Sequence, residues 1–147
     1  MKSQTLYTIG YTKKSARTFF SALKSSKISL LLDIRLNNTS QLAGYTKKED
    51  LEYFLETICS CSYKHLPQFA PTKEILDNYH NKRIAWLDYE KQFNALLGNR
   101  QPITVLDINH IDHACLLCAE PTPEYCHRRL VAEYINEAIS GITIQHL

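Results

Sequence analysis

The sequence has few glycines, no long apolar run and almost no excess of charge, and each absence excludes a class of protein. Only four glycines occur among 147 residues, and none belongs to a glycine-rich loop that cradles phosphates. No apolar run approaches the roughly 20 residues that a transmembrane helix needs, so we expect no membrane partner. The formal net charge of +2 is too small to indicate nucleic-acid binding by itself.

The amino-terminal segment and the cysteine content predict a cytoplasmic protein with free thiols. The first residues, MKSQTLYTIGY, lack the apolar stretch of a signal peptide. The cysteine count is five, and an odd number without an export signal favours a reducing compartment. Hydrophobic residues make up 44% and charged residues 22%, which is ordinary for a globular protein, and the length suits a single domain over residues 1–147.

Hydrophobic periodicity predicts alternating strands and helices. Strands are predicted over residues 6–11, 28–34, 62–66 and 142–147, and another begins near residue 114. Ser15 and Thr72 fit helix N-caps, and Gly98 fits the end of the helix before the fourth strand. The segment 102–112 fits a strand or a helix. This order predicts an α/β domain of the Rossmann-like three-layer kind, with a parallel or mixed sheet and helices on both faces.

The stretch from residue 114 to 139 (ACLLCAEPTPEYCHRRLVAEYINEAI) carries most of the side chains that are capable of chemistry. An apolar strand ends at Cys118 and Glu120. A helix follows, with Thr122 as its predicted N-cap and Pro123 in its first position. In open α/β sheets ligands bind where strands end and helices begin, so this stretch predicts a site.

Helical geometry directs the first side chains of this helix to different sides. His127 projects near the middle of the buried face, Arg128 lies at its flank, and Arg129 points into water, within reach of Glu133. Cys126 lies in the first turn, where the helix dipole favours a thiolate. The alternative for Cys126 is a small, half-buried apolar residue.

The ends of the other strands add further polar groups. Tyr11 ends the first strand, and Gly10 before it permits close approach of another backbone. Asp33 and Arg35 follow a central strand and are in position to bind a ligand, although a structural ion pair is the alternative. His65 ends the third strand, and a hydrogen-bonded structural histidine is the more common interpretation.

Cysteine and histidine spacing leaves a metal site open as an alternative. Cys115, Cys118, Cys126 and His127 are residue types that zinc prefers. Side chains 115 and 118 point to opposite faces of an extended strand, which argues against a closed four-ligand site. A partial site of Cys118, Cys126 and His127 stays open. We expect no cofactor, with zinc as the one candidate.

Three pieces of the sequence stand out together: TIGYT (8–12), LLLDIR with the loop to Gln41, and LLCAEPTPEYCHRRLVAEYI (116–135). They resemble the domain-of-unknown-function 488 family, uncharacterised α/β proteins of bacteria and archaea, along essentially the whole chain. The residues that define the family fall on Gly10, Tyr11, Asp33, Arg35, Cys118, Glu120, Cys126, His127 and Arg128. Many members have a proline near Asn38 and an arginine near Gln41. This chain lacks both, which removes one cation from the predicted pocket.

These residues support an enzyme that acts on an anionic ligand: a phosphorylated molecule, a nucleotide or a nucleic-acid end. Cations and a helix N-terminus would hold the anion, a carboxylate or imidazole would act as general acid or base, and a thiol would be the nucleophile. The residues assigned to catalysis are Cys118, Glu120, Cys126, His127 and Asp33, and those assigned to ligand binding are Arg35, Arg128, Tyr11, Gly10 and His65. The alternative is a module that binds or senses an anion without turnover.

Overall fold

Five parallel strands form a sheet between two layers of helices in the computed structural model, which describes residues 4–38, 44–120 and 123–147. The strands and α-helices are β1 (Gln4–Gly10), α1 (Ala16–Ser25), β2 (Leu30–Asp33), α2 (Lys48–Phe54), β3 (Ser62–His65), α3 (Lys73–His80), α4 (Trp86–Arg100), β4 (Ala114–Cys118), α5 (His127–Ala138) and β5 (Ile142–His146). A π-helical turn, Leu55–Cys59, continues α2. The predicted α/β class and the predicted order of elements are confirmed. No helix within the described ranges is long and apolar enough to cross a membrane.

The strand order is β3-β2-β4-β1-β5, and every neighbouring pair is parallel. β4 therefore lies between β1 and β2, and it pairs with both. In the register, Gly10 lies beside Cys118, and Asp33 lies beside both Leu117 and His65. The carboxyl ends of β1 to β4 thus meet at one edge, where the sequence places its polar side chains.

Side chains of β4 alternate between two separate parts of the core, as the strand period of two requires. Leu116 belongs to the cluster that contains Phe93 of α4 and Leu130 of α5. Leu117 belongs to the cluster on the other face, with Phe19 of α1. Cys118 has the same parity as Leu116 and therefore lies on the α5 side of the sheet.

Two predicted helix starts are confirmed by their hydrogen bonds. The Ser15 side chain accepts from the backbone N–H of Thr18, and the Thr72 side chain accepts from the N–H of Ile75. These caps satisfy N–H groups that the first turn of a helix leaves without intrahelical partners. The ambiguous segment 102–112 forms short 3₁₀ turns at 102–105 and 108–110, so it is neither strand nor α-helix.

Two other helix boundaries differ from the prediction. α4 continues past Gly98 and ends where Gln101 adopts a left-handed conformation, because a glycine inside a helix is tolerated. α5 begins at His127 rather than Pro123, because Pro123 accepts a turn hydrogen bond from the N–H of Cys126 and Cys126 is extended. Cys126 is thus the N-cap of α5, and the predicted cap Thr122 lies outside the described residues.

Candidate functional site

A cleft of about 410 Å³ opens at the carboxyl edge of the sheet. Six of the predicted site residues line it, namely Tyr11, Arg35, Cys118, Glu120, Cys126 and His127. An aromatic wall of Tyr79, Trp86, Tyr89 and Tyr125 also lines it. A larger cavity of about 610 Å³ lies beside β3, but none of the predicted site residues lines it. The chemistry-bearing side chains therefore converge on the smaller cleft.

Chain topology explains why a cleft forms at this position. The connections after β1 and β2 pack α1 and α2 on one face, whereas the connection after β4 packs α5 on the other. Neighbouring strands whose connections leave in opposite directions have a crevice between their carboxyl ends, and such crevices bind ligands in open α/β sheets. β4 lies between β1 and β2, so the crevice opens at Cys118.

Cys118, Cys126 and His127 form a group at the base of the cleft, which we call the thiol cluster. A disulfide joins Cys118 and Cys126. The Nε2 atom of His127 lies 2.7 Å from the carbonyl oxygen of Ile34, and its Nδ1 atom lies 3.4 Å from the Sγ atom of Cys118. A carbonyl oxygen only accepts hydrogen bonds, so Nε2 carries the proton and the Nδ1 lone pair faces the sulfur.

His127 is neutral at neutral pH. Burial lowers its pKa to about 4, although its hydrogen bond to Ile34 and the charge of Asp33 act in the opposite direction. The ring meets that of Phe93 edge to face, with 5.5 Å between the centroids, and this contact fixes its position from the other side. When the disulfide is open, Nδ1 is therefore an oriented acceptor for the thiol proton of Cys118.

The disulfide corrects the expectation that all five cysteines are free thiols. Cys59, Cys61 and Cys115 are free, and the pair is formed by residues only eight positions apart. Beside the pair, Ala119 accepts a hydrogen bond of 2.9 Å from the Thr12 N–H, and Pro123 accepts one from the N–H of Cys126. Composition and the N-terminal sequence cannot show these contacts.

The thiol cluster is also the group in the described part of the chain whose ligand types suit a metal ion. Its three ligand atoms lie within 4.8 Å of one another. Cys115 belongs to the core cluster on the other face of the sheet, so the closed four-ligand site is not formed, as the strand alternation predicts. Three ligands with a position open to the cleft fit a partial zinc site once the disulfide is reduced.

A second group, which we call the carboxylate cluster, consists of Asp33, Arg35, Tyr63 and His65. Asp33 is fully buried and accepts hydrogen bonds from Arg35 Nε at 2.9 Å, Arg35 Nη2 at 2.8 Å and the Tyr63 hydroxyl at 2.6 Å. His65 donates from Nε2 to the carbonyl oxygen of Arg35 at 2.9 Å. Neither Asp33 nor His65 lines the cleft. This geometry favours the structural alternative for both residues.

Arg35 connects the carboxylate cluster to the cleft. Its Nη2 atom also donates to the carbonyl oxygen of Thr46 at 2.7 Å, and its guanidinium carbon lies 5.4 Å from the ring centroid of Tyr11. Burial opposes its charge, but the hydrogen bond and the charge of Asp33 outweigh burial and raise the pKa of Arg35. The side chain is therefore a fixed cation in the cleft wall.

Gly10 and Arg128 lie behind the cleft rather than in its wall. A Cβ atom on Gly10 would overlap the carbonyl oxygen of Glu120 and lie 3.3 Å from Arg128 Nη1. The close backbone approach predicted for Gly10 therefore occurs between two segments of this chain. Arg128 is fully buried, and burial lowers its pKa, whereas Arg129 reaches Glu133 at 3.0 Å. The predicted divergence of the two arginines is confirmed, and the burial of Arg128 favours a structural role.

The aromatic wall and Tyr63 are the parts of the site that the sequence did not predict. Tyr89 is buried, whereas Trp86 is partly exposed, and both line the cleft. Tyr125 is 61% exposed and meets Trp86 edge to face, with 5.6 Å between the centroids. The sequence signal that could have indicated Tyr125 as a site residue is its position between the prolines at 121 and 123 and the Cys-His-Arg motif.

A family described as a domain of unknown function, DUF488, matches residues 15–135 of this chain. The matched range contains the thiol cluster and the carboxylate cluster, and it excludes Gly10 and Tyr11. Neither the curated proteins nor the solved structures yield a match to the chain. The comparisons therefore identify a family and leave the chemistry to be inferred from the site.

Proposed function

The chain belongs to the domain-of-unknown-function 488 family, and we propose that it is an enzyme whose Cys118 thiol attacks an anionic, ring-containing ligand in the cleft. The observation that carries this proposal is the contact of Cys118 Sγ with the Nδ1 atom of His127 at the base of an aromatic cleft. A thiol next to an imidazole acceptor is the arrangement that activates cysteine nucleophiles.

Each member of the pair has a distinct task once the disulfide is open. Cys118 supplies the attacking sulfur, and Nδ1 of His127 takes the thiol proton as negative charge develops on the sulfur, because that charge stabilises the imidazolium that burial alone disfavours. The hydrogen bond from Nε2 to the Ile34 carbonyl keeps the ring in this tautomer and orientation. Asp33 is not required for this step, because its oxygens are engaged by Arg35 and Tyr63.

The walls of the cleft indicate the class of ligand. Trp86 stacks on Tyr89 with 5.0 Å between the centroids and meets Tyr79 and Tyr125 edge to face, and a planar ring suits an aromatic surface of this kind. Arg35 and the N-terminus of α5, at Cys126 and His127, also line the cleft and add positive potential there. Glu120 lies at the rim as a second acid–base group. A nucleotide or another phosphorylated aromatic molecule combines these requirements.

Trp86 provides a direct test of ligand binding, because it is the one tryptophan in the sequence and it lines the cleft. Adenosine and guanosine monophosphates, inorganic phosphate and sulfate are titrated while the emission of Trp86 is recorded. We expect saturable quenching by a nucleotide at concentrations where phosphate and sulfate have little effect. Emission that none of these probes changes would contradict the proposed ligand class.

Two tyrosines of nearly equal exposure form the matched pair for this titration. Tyr125 is 61% exposed and lines the cleft, whereas Tyr53 is 62% exposed and does not. Loss of one aromatic stacking partner costs about 1–3 kcal/mol, so Tyr125→Ala should weaken nucleotide binding by about five- to a hundredfold. Tyr53→Ala should leave it unchanged. Equal effects of the two substitutions would place the ligand elsewhere.

A partial metal site is the second candidate function. The hydrogen bond from His127 Nε2 to the Ile34 carbonyl favours it, because metal-binding histidines usually donate their other N–H to a carbonyl or carboxylate. In the reduced state Cys118, Cys126 and His127 would supply three ligands. Elemental analysis of reduced protein prepared without chelator should give well under one equivalent of zinc. Stoichiometric zinc that disappears in Cys126→Ser would instead support the metal site.

A further inference from the structure

The structure points to a further activity at the thiol cluster: we infer that Cys118 and Cys126 are a redox-active pair that exchanges with a small disulfide or thiol bound in the cleft. The inference rests on the proposed function in one respect, since it uses Cys118 as the attacking sulfur. It adds a reaction class, thiol–disulfide exchange, and a role for Cys126. The anionic ring of the proposed ligand is not needed for it.

Three observations separate this pair from a disulfide that only holds a fold together. Both cysteines are only 2% exposed and both line the cleft, so the cleft is the side from which a small molecule approaches the bond. The remaining cysteines do not line it, and Cys61 and Cys115 are buried in the core on the other face of the sheet. One partner, Cys118, lies against an imidazole acceptor that a structural disulfide does not need.

The two sulfurs have different surroundings, and the difference assigns their roles. Cys126 is the N-cap of α5, where the partial positive charge of a 12-residue helix stabilises a thiolate. Cys118 has the Nδ1 lone pair of His127 beside it, which holds the thiol hydrogen and receives it when the sulfur attacks. A stabilised thiolate is the better leaving group, so exchange leaves the mixed disulfide on Cys118, and Cys126 is the residue that resolves it.

The reaction balances with a small disulfide, RSSR, as the oxidant. Cys118 attacks one sulfur of RSSR, its proton passes to His127 and then to the departing RS⁻, and a mixed disulfide remains on Cys118. The thiolate of Cys126 attacks the Cys118 sulfur, the second RS⁻ leaves and takes the proton that Cys126 gave up. Two electrons pass from the pair to RSSR, giving two RSH and the protein disulfide. Two equivalents of another small thiol reverse these steps and regenerate the dithiol.

The first experiment counts thiols in the whole chain. Protein treated with oxidised glutathione, freed of reagent and denatured without reductant should show three reactive thiols, and protein first reduced with dithiothreitol should show all five. The reduction is carried out on folded protein, monitored by circular dichroism. Five thiols after oxidation would overturn the inference, as would a pair that dithiothreitol reduces only after denaturation.

The second experiment traps the intermediate. Reduced Cys126→Ser treated with oxidised glutathione should accumulate one glutathione adduct on Cys118, because the resolving thiol is absent, and Cys118→Ser should react at least about tenfold more slowly. Cys115→Ser is the matched control on the same strand and should behave as wild type. Peptide mapping identifies the modified residue. An adduct on Cys59 or Cys61, or equal rates in Cys118→Ser and Cys115→Ser, would overturn the inference.

The two proposals fail separately. If exchange occurs as described and Trp86 responds to no nucleotide, the ligand class of the proposed function is wrong and the redox activity stands. If Tyr125→Ala weakens nucleotide binding and the pair never exchanges, the redox inference alone is overturned. Thermal melts of the cysteine variants show whether slower thiol exchange results from unfolding. Cys126→Ser tests the reactivity of Cys118 directly, because this variant keeps the Cys118 thiol.

Discussion

The thiol cluster and the carboxylate cluster lie at the same edge of one sheet, yet they are built in opposite ways. In the carboxylate cluster, Asp33 accepts from Arg35 and Tyr63, and His65 donates to the backbone of Arg35, so its polar atoms bond to one another. In the thiol cluster, His127 uses one ring nitrogen for the Ile34 carbonyl and presents the other to a sulfur at the cleft.

This difference shows what a position at a strand end does and does not determine. Parallel strands bring their last residues to a common edge, so both clusters had to form near each other. The bonds that each side chain makes within the protein then decide whether it holds the fold or meets a ligand. A buried carboxylate needs its hydrogen bonds and its cation because an uncompensated charge in the interior is costly.

The largest expected loss of stability comes from a substitution that breaks the carboxylate cluster. Asp33→Ala leaves the guanidinium of Arg35 buried without its carboxylate, and we expect the free energy of unfolding to fall by roughly 3–5 kcal/mol in urea titrations. The control is Asp77→Ala, which removes an exposed pair with Lys73 and should cost less than about 1 kcal/mol.

The same titration decides the role that the sequence suggested for Asp33. Asp33→Asn keeps the shape and removes the charge, so it should also destabilise the fold. A variant that folds with wild-type stability but loses thiol exchange would restore a catalytic role for this residue. Equal losses in the Asp33 and Asp77 variants would show that burial does not distinguish the two pairs.

The next largest effect concerns His127 of the thiol cluster, and it is a loss of stability at acidic pH. His127 has a pKa of about 4 when folded and about 6.5 when exposed, so between these pH values the unfolded chain binds a proton that the folded chain excludes. The free energy of unfolding should therefore fall as the pH is lowered from 6.5 to 4, by roughly 3 kcal/mol from this residue alone. Urea titrations at several pH values measure it.

His127→Asn provides the comparison for the acid series. The variant lacks the titrating ring, so its stability should fall less steeply between pH 6.5 and 4 than that of the wild type. Its stability at pH 7.5 is measured separately, because the substitution also alters the contact with Phe93. Parallel pH curves for the two proteins would mean that His127 is not the group whose protonation opposes folding.

The fold was accessible from the sequence because its signals are local and periodic. The apolar run before Asp33 is covered on both faces, as its composition predicts, and the 100° rotation per helical residue correctly separated Arg128 from Arg129. Both inferences depend on residues close together in the chain. They needed no knowledge of how distant segments pack.

The candidate site was only partly accessible, since its missing parts depend on loop paths and long-range packing. The turn hydrogen bond from the Cys126 N–H to Pro123 precedes α5, which begins at His127. Cys126 is therefore the N-cap of α5, and it forms the disulfide with Cys118. Trp86 reaches the cleft because α4 and α5 pack together in the core cluster on that face of the sheet. Spacing along the chain contains neither of these facts.

The smallest expected effect comes from alanine substitutions at two glycines, Gly10 and Gly98. Their comparison tests whether backbone packing positions the thiol cluster. Gly10→Ala forces a Cβ atom into the carbonyl of Glu120, so the segment that follows Cys118 must shift. We expect a loss of about 1–3 kcal/mol in the free energy of unfolding, as for overpacked interiors, together with slower thiol exchange. Gly98→Ala adds a Cβ atom within α4 that meets no atom of the described residues within 4 Å, so it should stabilise the protein by about 0.5–1 kcal/mol and leave exchange unchanged. If Gly10→Ala slows exchange while Asp33→Asn only destabilises the fold, backbone packing positions the thiol cluster and hydrogen bonds hold the carboxylate cluster. If Gly10→Ala behaves like Gly98→Ala, the close approach of Glu120 to Gly10 does not hold the cleft together.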